Sequence, residues 1–468
     1  MGSHAHRRLG GDQVAQHDSH RPEPLEGAAD VVIVGGRCAG ATLAAELAER
    51  GRSVVLIDRS DFPSDAFSTH LVQANGAGYL AQHGVLSALS DAGSPLMPRV
   101  KVCFDGVVLD HHFDTHAPYG AAVSASRKVL DAALLERARR AGASVLTRCT
   151  FEDVIVDDGR VCGARAVQEG RPVELRGRLV VGCDGRQSAF AAAVGARRYH
   201  VAPGDRCIYW ADYGGVDPGF DPAVWNVRHG PDIWLAFFSD GGRFTVAVLT
   251  PAGDRPPVGD VSTWFDAKIA GCPELTGVLG DSERLGRPIG TCNLDSYYRE
   301  ASGPGWVLVG DSGVFKDPVM GQGIGDAFRH AATLAARLDT VDLADPAALD
   351  AATAEFGRWR DRDLWQMYWL AVDAAAGRGL NDLEHGVFAV LAERPTLGYR
   401  FAVDLPSHWR PPRQVLSPAT IGRAAWHAWR VDGAPAGALA SQMFDRARLA
   451  LHRAAIRRRP RYESAPTR

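Results

Sequence analysis

The chain has 468 residues, of which 46% are hydrophobic and 23% are charged, and its formal net charge at pH 7 is -3. This length and composition are typical of a folded protein with two or three domains, and the small net charge gives no indication of a nucleic acid or a charged membrane surface as partner. No apolar run approaches the roughly 20 residues that span a bilayer, so we expect no membrane span.

Eight cysteines are spread along the chain without any C-x-x-C pair, and they lie within apolar runs. This distribution predicts buried thiols in a reducing cytoplasm and neither a zinc site nor any other metal site. The cysteines are Cys38, Cys103, Cys149, Cys162, Cys183, Cys207, Cys272 and Cys292.

Residues 1–28 are polar, rich in histidine and without periodicity, so we expect a disordered leader. The next segment, DVVIVGGRCAGATLAAELAERGRSVVLIDR, has the pattern of a strand, a glycine turn, a helix and a second strand. Gly35 suits the tight turn and Gly40 suits close packing of the helix on the strand, while the helix N-terminus offers free N–H groups to a pyrophosphate. Asp58 follows the second strand, where a carboxylate accepts bonds from ribose hydroxyls.

Arg37 stands at the middle glycine position of the pattern G-x-G-x-x-G. Its guanidinium either bonds the phosphate or points away into solvent, and we favour the bonded alternative because the helix start already attracts an anion. The segment predicts a dinucleotide site, and the alternative is an ordinary βαβ unit with a glycine turn. The predicted cofactor-binding residues here are Gly35, Gly36, Arg37, Cys38, Ala39, Gly40, Asp58 and Arg59.

The middle of the chain changes character at residues 197–288, where short β-rich runs are separated by Gly, Asp and Pro, as in an antiparallel sheet. We therefore expect a discontinuous first domain, residues 29–196 and 289–345, with a β-rich substrate domain inserted at 197–288. Part of 60–110 is expected on the substrate side. Residues 346–455 are predicted as helices and 456–468 as a solvated basic tail. The expected fold class is α/β with an α+β insert.

Three further segments carry motifs in chain order. SRKVLDAALL contains Arg127 ahead of Leu130 and Asp131, and VVGCDGRQSAF contains Asp184. In GWVLVGDSGVFKDPVMGQGIGDAF, Asp311 follows a buried strand, and Pro318, Gly321, Gln322 and Gly323 then lead into a helix. Ile324 in that helix is also a candidate cofactor-binding residue. Together with the first segment, this ordered set resembles FAD-dependent monooxygenases of the para-hydroxybenzoate hydroxylase type. The variant GGRCAG is similar to a bacterial subgroup of FAD-dependent oxidoreductases.

The resemblance implies a Rossmann-like FAD-binding domain, FAD as cofactor and NAD(P)H as electron donor. It places Asp311 on the ribityl chain, the P-x-x-G-Q-G segment along the isoalloxazine, and Arg127 at the flavin's phosphate or ribityl region. It also implies that the region of Asp184 contacts FAD and the pyridine nucleotide. In that family a C4a-hydroperoxide of the reduced flavin, formed with O2, hydroxylates or epoxidises a small molecule.

The substrate implied is hydrophobic or aromatic, with secondary metabolism as one expected setting. His70 and Gln73 fall where the family's chain passes near the flavin ring, although a capping or core role is the preferred interpretation of His70. No catalytic acid or base is assigned, and nothing indicates the oligomeric state. The β-rich insert is expected to supply an aromatic pocket wall from Tyr209, Trp210, Tyr213, Trp225, Trp234, Phe237, Phe238 and Phe244.

Other functions share the same FAD-binding motifs. One is a reductase of the geranylgeranyl-reductase type, which transfers hydride to an alkene without oxygen chemistry. A flavin-dependent halogenase is less favoured, because no W-x-W-x-I-P segment is present. A non-enzymatic protein that keeps a relic nucleotide fold is the third alternative.

Overall fold

The computed structural model describes residues 28–65, 68, 70–113, 120–217, 222–292, 294–458, 460 and 462–463. The predicted leader lies outside these residues except for Ala28, and so does the end of the predicted tail, residues 464–468. No helix within the described part of the chain is long and apolar enough to cross a membrane.

The described residues contain 21 strands, many of them rich in β-branched residues, which favour the extended backbone. They are β1 (Ala29–Val34), β2 (Val54–Ile57), β3 (Leu71–Val72), β4 (Leu96–Met97), β5 (Arg99–Phe104), β6 (Val107–His112), β7 (Ala122–Ser124), β8 (Ser144–Leu146), β9 (Cys149–Asp157), β10 (Arg160–Gln168), β11 (Arg171–Gly182), β12 (Arg198–Ala202), β13 (Arg206–Gly214), β14 (Ala223–His229), β15 (Asp232–Ser239), β16 (Arg243–Pro251), β17 (Glu283–Thr291), β18 (Ser296–Arg299), β19 (Ser302–Gly303), β20 (Trp306–Leu308) and β21 (Val314–Phe315).

The same residues contain 14 α-helices, and short 3-10 turns lie between some of the elements. They are α1 (Cys38–Ala48), α2 (Ala74–Gln82), α3 (Val85–Asp91), α4 (Arg127–Arg140), α5 (Ala189–Ala193), α6 (Val261–Ala270), α7 (Pro273–Leu279), α8 (Gly323–Asp339), α9 (Pro346–Ala374), α10 (Asp382–Glu393), α11 (Pro395–Tyr399), α12 (Pro412–Val415), α13 (Pro418–Arg430) and α14 (Ala436–Arg458).

The first sheet has the strand order β19-β20-β11-β1-β2-β8, and β9 and β10 extend it from β11. Strands β20, β11, β1, β2 and β8 run parallel to one another. Helices α1, α4 and α8 supply buried apolar side chains to the core on one face, while α5 contributes to a second core on the other. Parallel strands covered on both faces are typical of a dinucleotide-binding domain, and the predicted α/β fold class is confirmed.

The second large sheet has the order β17-β13-β16-β15-β14-β5-β6 and is antiparallel except where β14 pairs with β5. Strands β5 and β6 come from residues 99–112, ahead of the predicted insert. One face of this sheet packs against α6 and α7. The other face packs against the C-terminal helices, with Val100 and Val224 in one core with Val387. The predicted domain boundaries stay a prediction.

One expectation about particular residues is wrong. Cys207 and Cys292 form a disulfide between β13 and the end of β17, so the chain does not carry eight free thiols. Helix α14 continues to Arg458, and the exposed Tyr462 pairs with Tyr199 in an isolated bridge. The solvated tail from residue 456 stays a prediction.

Candidate functional site

The turn between β1 and α1 is packed so closely at its glycines that no side chain fits there. Gly35 has a φ of +104°, a conformation that L side chains rarely adopt, and a Cβ there would lie 2.5 Å from the carbonyl oxygen of Cys183. A Cβ on Gly40 would lie 1.8 Å from the carbonyl oxygen of Gly35. Helix α1 begins at Cys38 without a side-chain cap. Its first N–H groups are therefore available to an anion such as a pyrophosphate.

Asp58 is fixed at the end of β2 by two backbone donors. Its Oδ2 accepts the N–H of Gly36 and its Oδ1 accepts the N–H of Ser60, each at 2.7 Å. The carboxylate is buried but keeps unused lone pairs, since each oxygen accepts more than one bond. This geometry suits the ribose hydroxyls of a nucleotide. The neighbouring Arg59 is exposed.

Asp131 is a fully buried carboxylate. From the sequence it served only to align the motif that contains Arg127, and no contact was assigned to it. It accepts from Nη1 of Arg37 at 2.7 Å and from Nη2 of Arg127 at 2.8 Å, and the Sγ of Cys38 lies 3.4 Å from its Oδ1. Burial raises the pKa of the Cys38 thiol to about 12, so the thiol stays protonated. Asp131 thus ties α4 to the start of α1.

Arg37 and Arg127 are both positioned by this carboxylate. The Arg37 guanidinium also donates to the hydroxyl of Ser64 at 3.2 Å and to the backbone oxygen of Asp65 at 3.1 Å. Its side chain therefore does not lie free in solvent, which was the alternative to phosphate binding. A contact between Arg37 and a phosphate stays a prediction, as does the flavin contact of Arg127.

Replacing Arg37 with alanine is expected to weaken FAD binding by about 1–3 kcal/mol, with a smaller effect at high salt, because a charge-assisted bond to phosphate is lost. Titration of the apoprotein with FAD at low and high salt measures this. Arg37→Gly serves as the matched variant, since it restores the usual glycine. Equal affinities of the wild type and both variants at low salt would show that Arg37 does not contact the phosphate.

Asp311 follows β20 in a tight turn against α1. Gly310 before it has a φ of +69°, and a Cβ there would lie 2.9 Å from the Cβ of Ala39. Burial raises the pKa of Asp311 to about 6, opposed by the positive charge of Arg186 and by that of Arg127. No hydrogen bond to its carboxylate comes from the described residues, so both oxygens are available to hydroxyl donors.

Asp184 lies at the end of β11, beside the glycine turn, where its Cα would be 2.9 Å from a Cβ on Gly35. Its carboxylate accepts from the hydroxyl of Ser188 and, at 3.0 Å, from the N–H of Phe190. These bonds cap the start of α5, so Asp184 has a structural role there. Burial is the largest influence on Asp184 and raises its pKa.

The P-x-x-G-Q-G segment forms a 3-10 turn at Pro318–Met320 and then enters α8 at Gly323. Gly321 has a φ of +61°, and a Cβ there would lie 3.1 Å from the Nε2 of Gln73. The same Nε2 donates to the carbonyl oxygen of Met320 at 3.2 Å. Gln322 is buried and donates to the carbonyl oxygens of Leu405 and Pro406. Ile324 is partly buried against the first core.

His70 directly precedes β3 and is buried with a left-handed backbone, φ +66°. Its Nδ1 is buried without a hydrogen-bond partner among the described residues. Burial lowers the pKa of His70 to about 4, so the ring is neutral near pH 7. The imidazole therefore acts at neutral pH as an uncharged donor or acceptor.

A cavity of about 1430 Å³ adjoins the P-x-x-G-Q-G segment. Leu71, Gln73, Met320 and Gly321 line it on that side. Its walls come from one face of β5, β14 and β15 and from α9, α10 and α14 across from them. A cavity of this size with mostly apolar walls is typical of a site for a small organic molecule.

The predicted aromatic wall is wrong, because none of the eight aromatic residues lines the cavity. Val224 and Asn226 of β14 face it, and successive residues of a strand point to opposite faces, so Trp225 points away. Trp225 and Trp234 pack against α6 and α7 together with Tyr209, Tyr213, Phe238 and Phe244. Phe237 and Trp210 lie in two other cores. The C-terminal helices, which sequence reasoning did not connect with the site, supply the opposite wall.

Among the described residues, two groups of side chains away from this site lie close enough together to hold a metal ion, and each also forms an ordinary ion pair. The expectation of no metal site stays a prediction. The groups are His229 with Cys272 and Glu274, and Glu46 with Glu49 and His83.

The residues present fit FAD. The glycine turn and the uncapped α1 suit a pyrophosphate, Asp58 suits the ribose hydroxyls, and the unpartnered carboxylate of Asp311 suits further hydroxyl donors. The contacts of Gly310 with Ala39 and of Gly35 with Cys183 join these parts into one surface along the carboxyl ends of β1, β11 and β20. Ligands bind at this edge in open α/β sheets.

Fold and site together define the class of protein, which is one with an FAD-binding domain. Residues 28–244 match the family described as FAD binding domain. The chain is 25% identical over 307 residues to digeranylgeranylglycerophospholipid reductase of Methanoculleus marisnigri, covering 64% of this chain and 73% of that protein. It is 28% identical over 333 residues to dialkyldecalin synthase of Streptomyces rugosporus, covering 68% and 67%.

Among solved structures, the myxobacterial chondrochloren halogenase, described as a variant of FAD-dependent halogenases, superposes with a TM-score of 0.68. The identity is 22%, and the alignment covers 81% of this chain and 92% of that chain. This likeness shows the fold, and it assigns no reaction. The resemblance to the para-hydroxybenzoate hydroxylase type therefore holds at the level of the FAD-binding domain.

Proposed function

We propose that this protein is a monooxygenase that uses FAD, NAD(P)H and O2 to hydroxylate or epoxidise a hydrophobic or aromatic small molecule. The observation that carries the proposal is the 1430 Å³ cavity, which opens onto Met320 and Gly321 of the segment proposed to lie along the flavin ring. A substrate in this cavity has one end against the cofactor and contacts apolar side chains beyond it. The bound FAD supplies the redox chemistry.

The chain's own residues position the reactants and keep water out. Val100, Val224 and Leu235 line the sheet side of the cavity and Val387 lines the helix side, so the part of the cavity between them offers few partners to water. Exclusion of water protects reactive oxygen species from wasteful breakdown. No side chain is assigned as an acid or base, and His70 is neutral near pH 7 because burial lowers its pKa to about 4.

A second candidate is a reductase that transfers hydride to an alkene. The observation in its favour is the 25% identity to digeranylgeranylglycerophospholipid reductase, a relative of which this chain covers 73%. An apolar cavity of this volume also accommodates a polyisoprenoid chain. The two reactions differ in their need for oxygen, and that difference separates them.

Turnover under labelled oxygen tests the proposal. With purified holoprotein, NADPH or NADH and a panel of hydrophobic aromatic compounds, we expect substrate-dependent O2 uptake and one atom of ¹⁸O from ¹⁸O₂ in the product. Product formation under anaerobic conditions, with two hydrogens gained and no label, would instead assign the reductase. Comparing the two nicotinamide nucleotides identifies the electron donor.

We also propose a cytoplasmic location and a role in secondary metabolism. Six cysteines are free, and five of these are buried, which agrees with a reducing compartment. The Cys207–Cys292 pair is the exception. Counting thiols by mass spectrometry after lysis in alkylating buffer tests whether this pair is oxidised in the cell.

A further inference from the structure

The lining of the cavity is apolar in one part and charged in another. Near the proposed flavin position its lining is apolar or uncharged, with Leu71, Val319 and Met320 among the residues there. Exposed charged side chains line it elsewhere, and most of these are arginines. The lining as a whole contains eight arginines and four carboxylates, in a chain whose net charge is -3. This excess of positive charge is local to the cavity.

Most of the carboxylates in the cavity lining already form ion pairs. Asp373 pairs with Arg453 and Glu384 pairs with Arg378, each with a nitrogen to oxygen distance of 2.8 Å or less. Asp445 lies 3.6 Å from Arg448, which is not part of the lining. The fourth carboxylate is that of Asp205. The lining therefore keeps arginines that its own carboxylates do not neutralise.

Five of the arginines are exposed and make no ion pair with any described residue: Arg362, Arg413, Arg446, Arg457 and Arg458. They come from three helices, α9, α12 and α14. Arg446 and Arg457 are eleven residues apart on α14, close to three full turns, so they share one face of that helix.

The position of α14 is fixed by contacts with α9. The ion pair between Arg453 and Asp373 joins the two helices, and the guanidinium of Arg457 lies 5.4 Å from the ring centre of Trp365. Arg453 similarly covers the ring of Trp369 at 4.5 Å. Arg457 is therefore held at the cavity by packing on a tryptophan, so less of its side-chain freedom is lost when it binds an anion.

We propose that the cavity binds an amphiphile, with its apolar part towards Met320 and its single anionic group, a carboxylate, phosphate or sulfonate, on Arg446 or Arg457, which lie about 16 Å apart along α14. Guanidinium groups bind all three anions by paired N–H donors. This inference rests on the proposed function for the end of the molecule that reacts. It adds the polarity and orientation of the substrate.

Two fluorescent probes of nearly the same shape test the inference. 8-Anilinonaphthalene-1-sulfonate carries one sulfonate, and N-phenyl-1-naphthylamine is its uncharged counterpart. The variant Arg446→Glu/Arg457→Glu is expected to raise the Kd of the anionic probe about tenfold at low salt, because exposed charge pairs each contribute modestly. The Kd of the neutral probe should change less than twofold. High salt should reduce the difference.

Two controls locate the effect. Arg423→Glu/Arg430→Glu makes the same charge change at exposed positions of α13 outside the lining and should leave both Kd values within twofold. Val387→Trp fills the cavity from α10 and should weaken both probes. Equal responses of the two probes to the α14 charge reversal, or unchanged binding of both in Val387→Trp, would overturn the inference.

Probe binding is measured without turnover, so it is independent of the oxygen-label experiment. Charge selectivity without ¹⁸O incorporation would leave the amphiphile inference standing and remove the monooxygenase. ¹⁸O incorporation with no charge selectivity would do the reverse. The two proposals can therefore fail separately.

Discussion

Replacing Asp131 with alanine is expected to lower the free energy of unfolding of the apoprotein by about 3–5 kcal/mol, because removing one partner of a buried ion pair leaves the other charge uncompensated. Asp131 is completely buried, and two guanidinium groups depend on it, those of Arg37 and Arg127. Urea denaturation followed by circular dichroism measures the change. The dependence on denaturant also shows whether unfolding stays two-state.

A matched control removes an exposed carboxylate. Asp153 pairs with Arg165 at 3.3 Å, and about half of each side chain is accessible to solvent, so Asp153→Ala should cost less than about 1 kcal/mol. Asp131→Asn keeps the volume and one acceptor oxygen and should fall between the two. A loss below about 1 kcal/mol in Asp131→Ala would mean that Arg37 and Arg127 find other partners and that Asp131 does not hold them in place.

Local patterns predicted the parts of the site that depend on neighbouring residues. The strand, glycine turn and helix of residues 29–48 follow from β-branched residues and from glycines at the two positions where the structure has no room for a Cβ, Gly35 and Gly40. Asp311 was identified from the resemblance of its segment to that of the FAD-dependent monooxygenases, and an aspartate after a buried strand lies at the edge where ligands bind. These signals span few residues, so reading them does not require knowing how distant parts of the chain pack.

Contacts between distant segments could not be predicted in this way. Arg37 and Asp131 are 94 residues apart, and nothing in the sequence near either residue specifies the other. The Cys207–Cys292 disulfide joins two strands whose pairing depends on the register of β13 with β17. Cysteine spacing alone leaves such a pairing open.

The prediction of an aromatic cavity wall was wrong for a related reason. Strand composition predicted a sheet, but which face of the sheet adjoins the cavity depends on where the helices pack. In β14, Val224 and Asn226 face the cavity and Trp225 faces α6 and α7. Shifting the assignment by one residue exchanges the two faces. Only the packing of the C-terminal helices resolves the choice.

Asp311→Ala is expected to weaken FAD binding by about 1.5–3 kcal/mol, or roughly ten- to 150-fold, because hydroxyl groups of the cofactor lose a charged acceptor. The variant should be purified with much less flavin than the wild type. Titration of apoprotein with FAD, followed by quenching of flavin fluorescence, measures the affinity. Asp131→Asn is a useful comparison, since it alters the neighbouring arginines and leaves Asp311 in place.

The pH dependence of binding gives a sharper test of the same residue. Burial raises the pKa of Asp311 to about 6 in the protein without cofactor, and the ionised carboxylate is the better acceptor for hydroxyl donors. Protonation must therefore oppose binding, so the affinity for FAD should be highest above pH 6 and should fall as the pH is lowered through about 6. Asp311→Asn has no proton to gain at this position, and its weaker binding should lose that dependence. If the wild type and Asp311→Asn show the same pH profile, or if Asp311→Ala retains FAD as tightly as the wild type, Asp311 does not contact the cofactor.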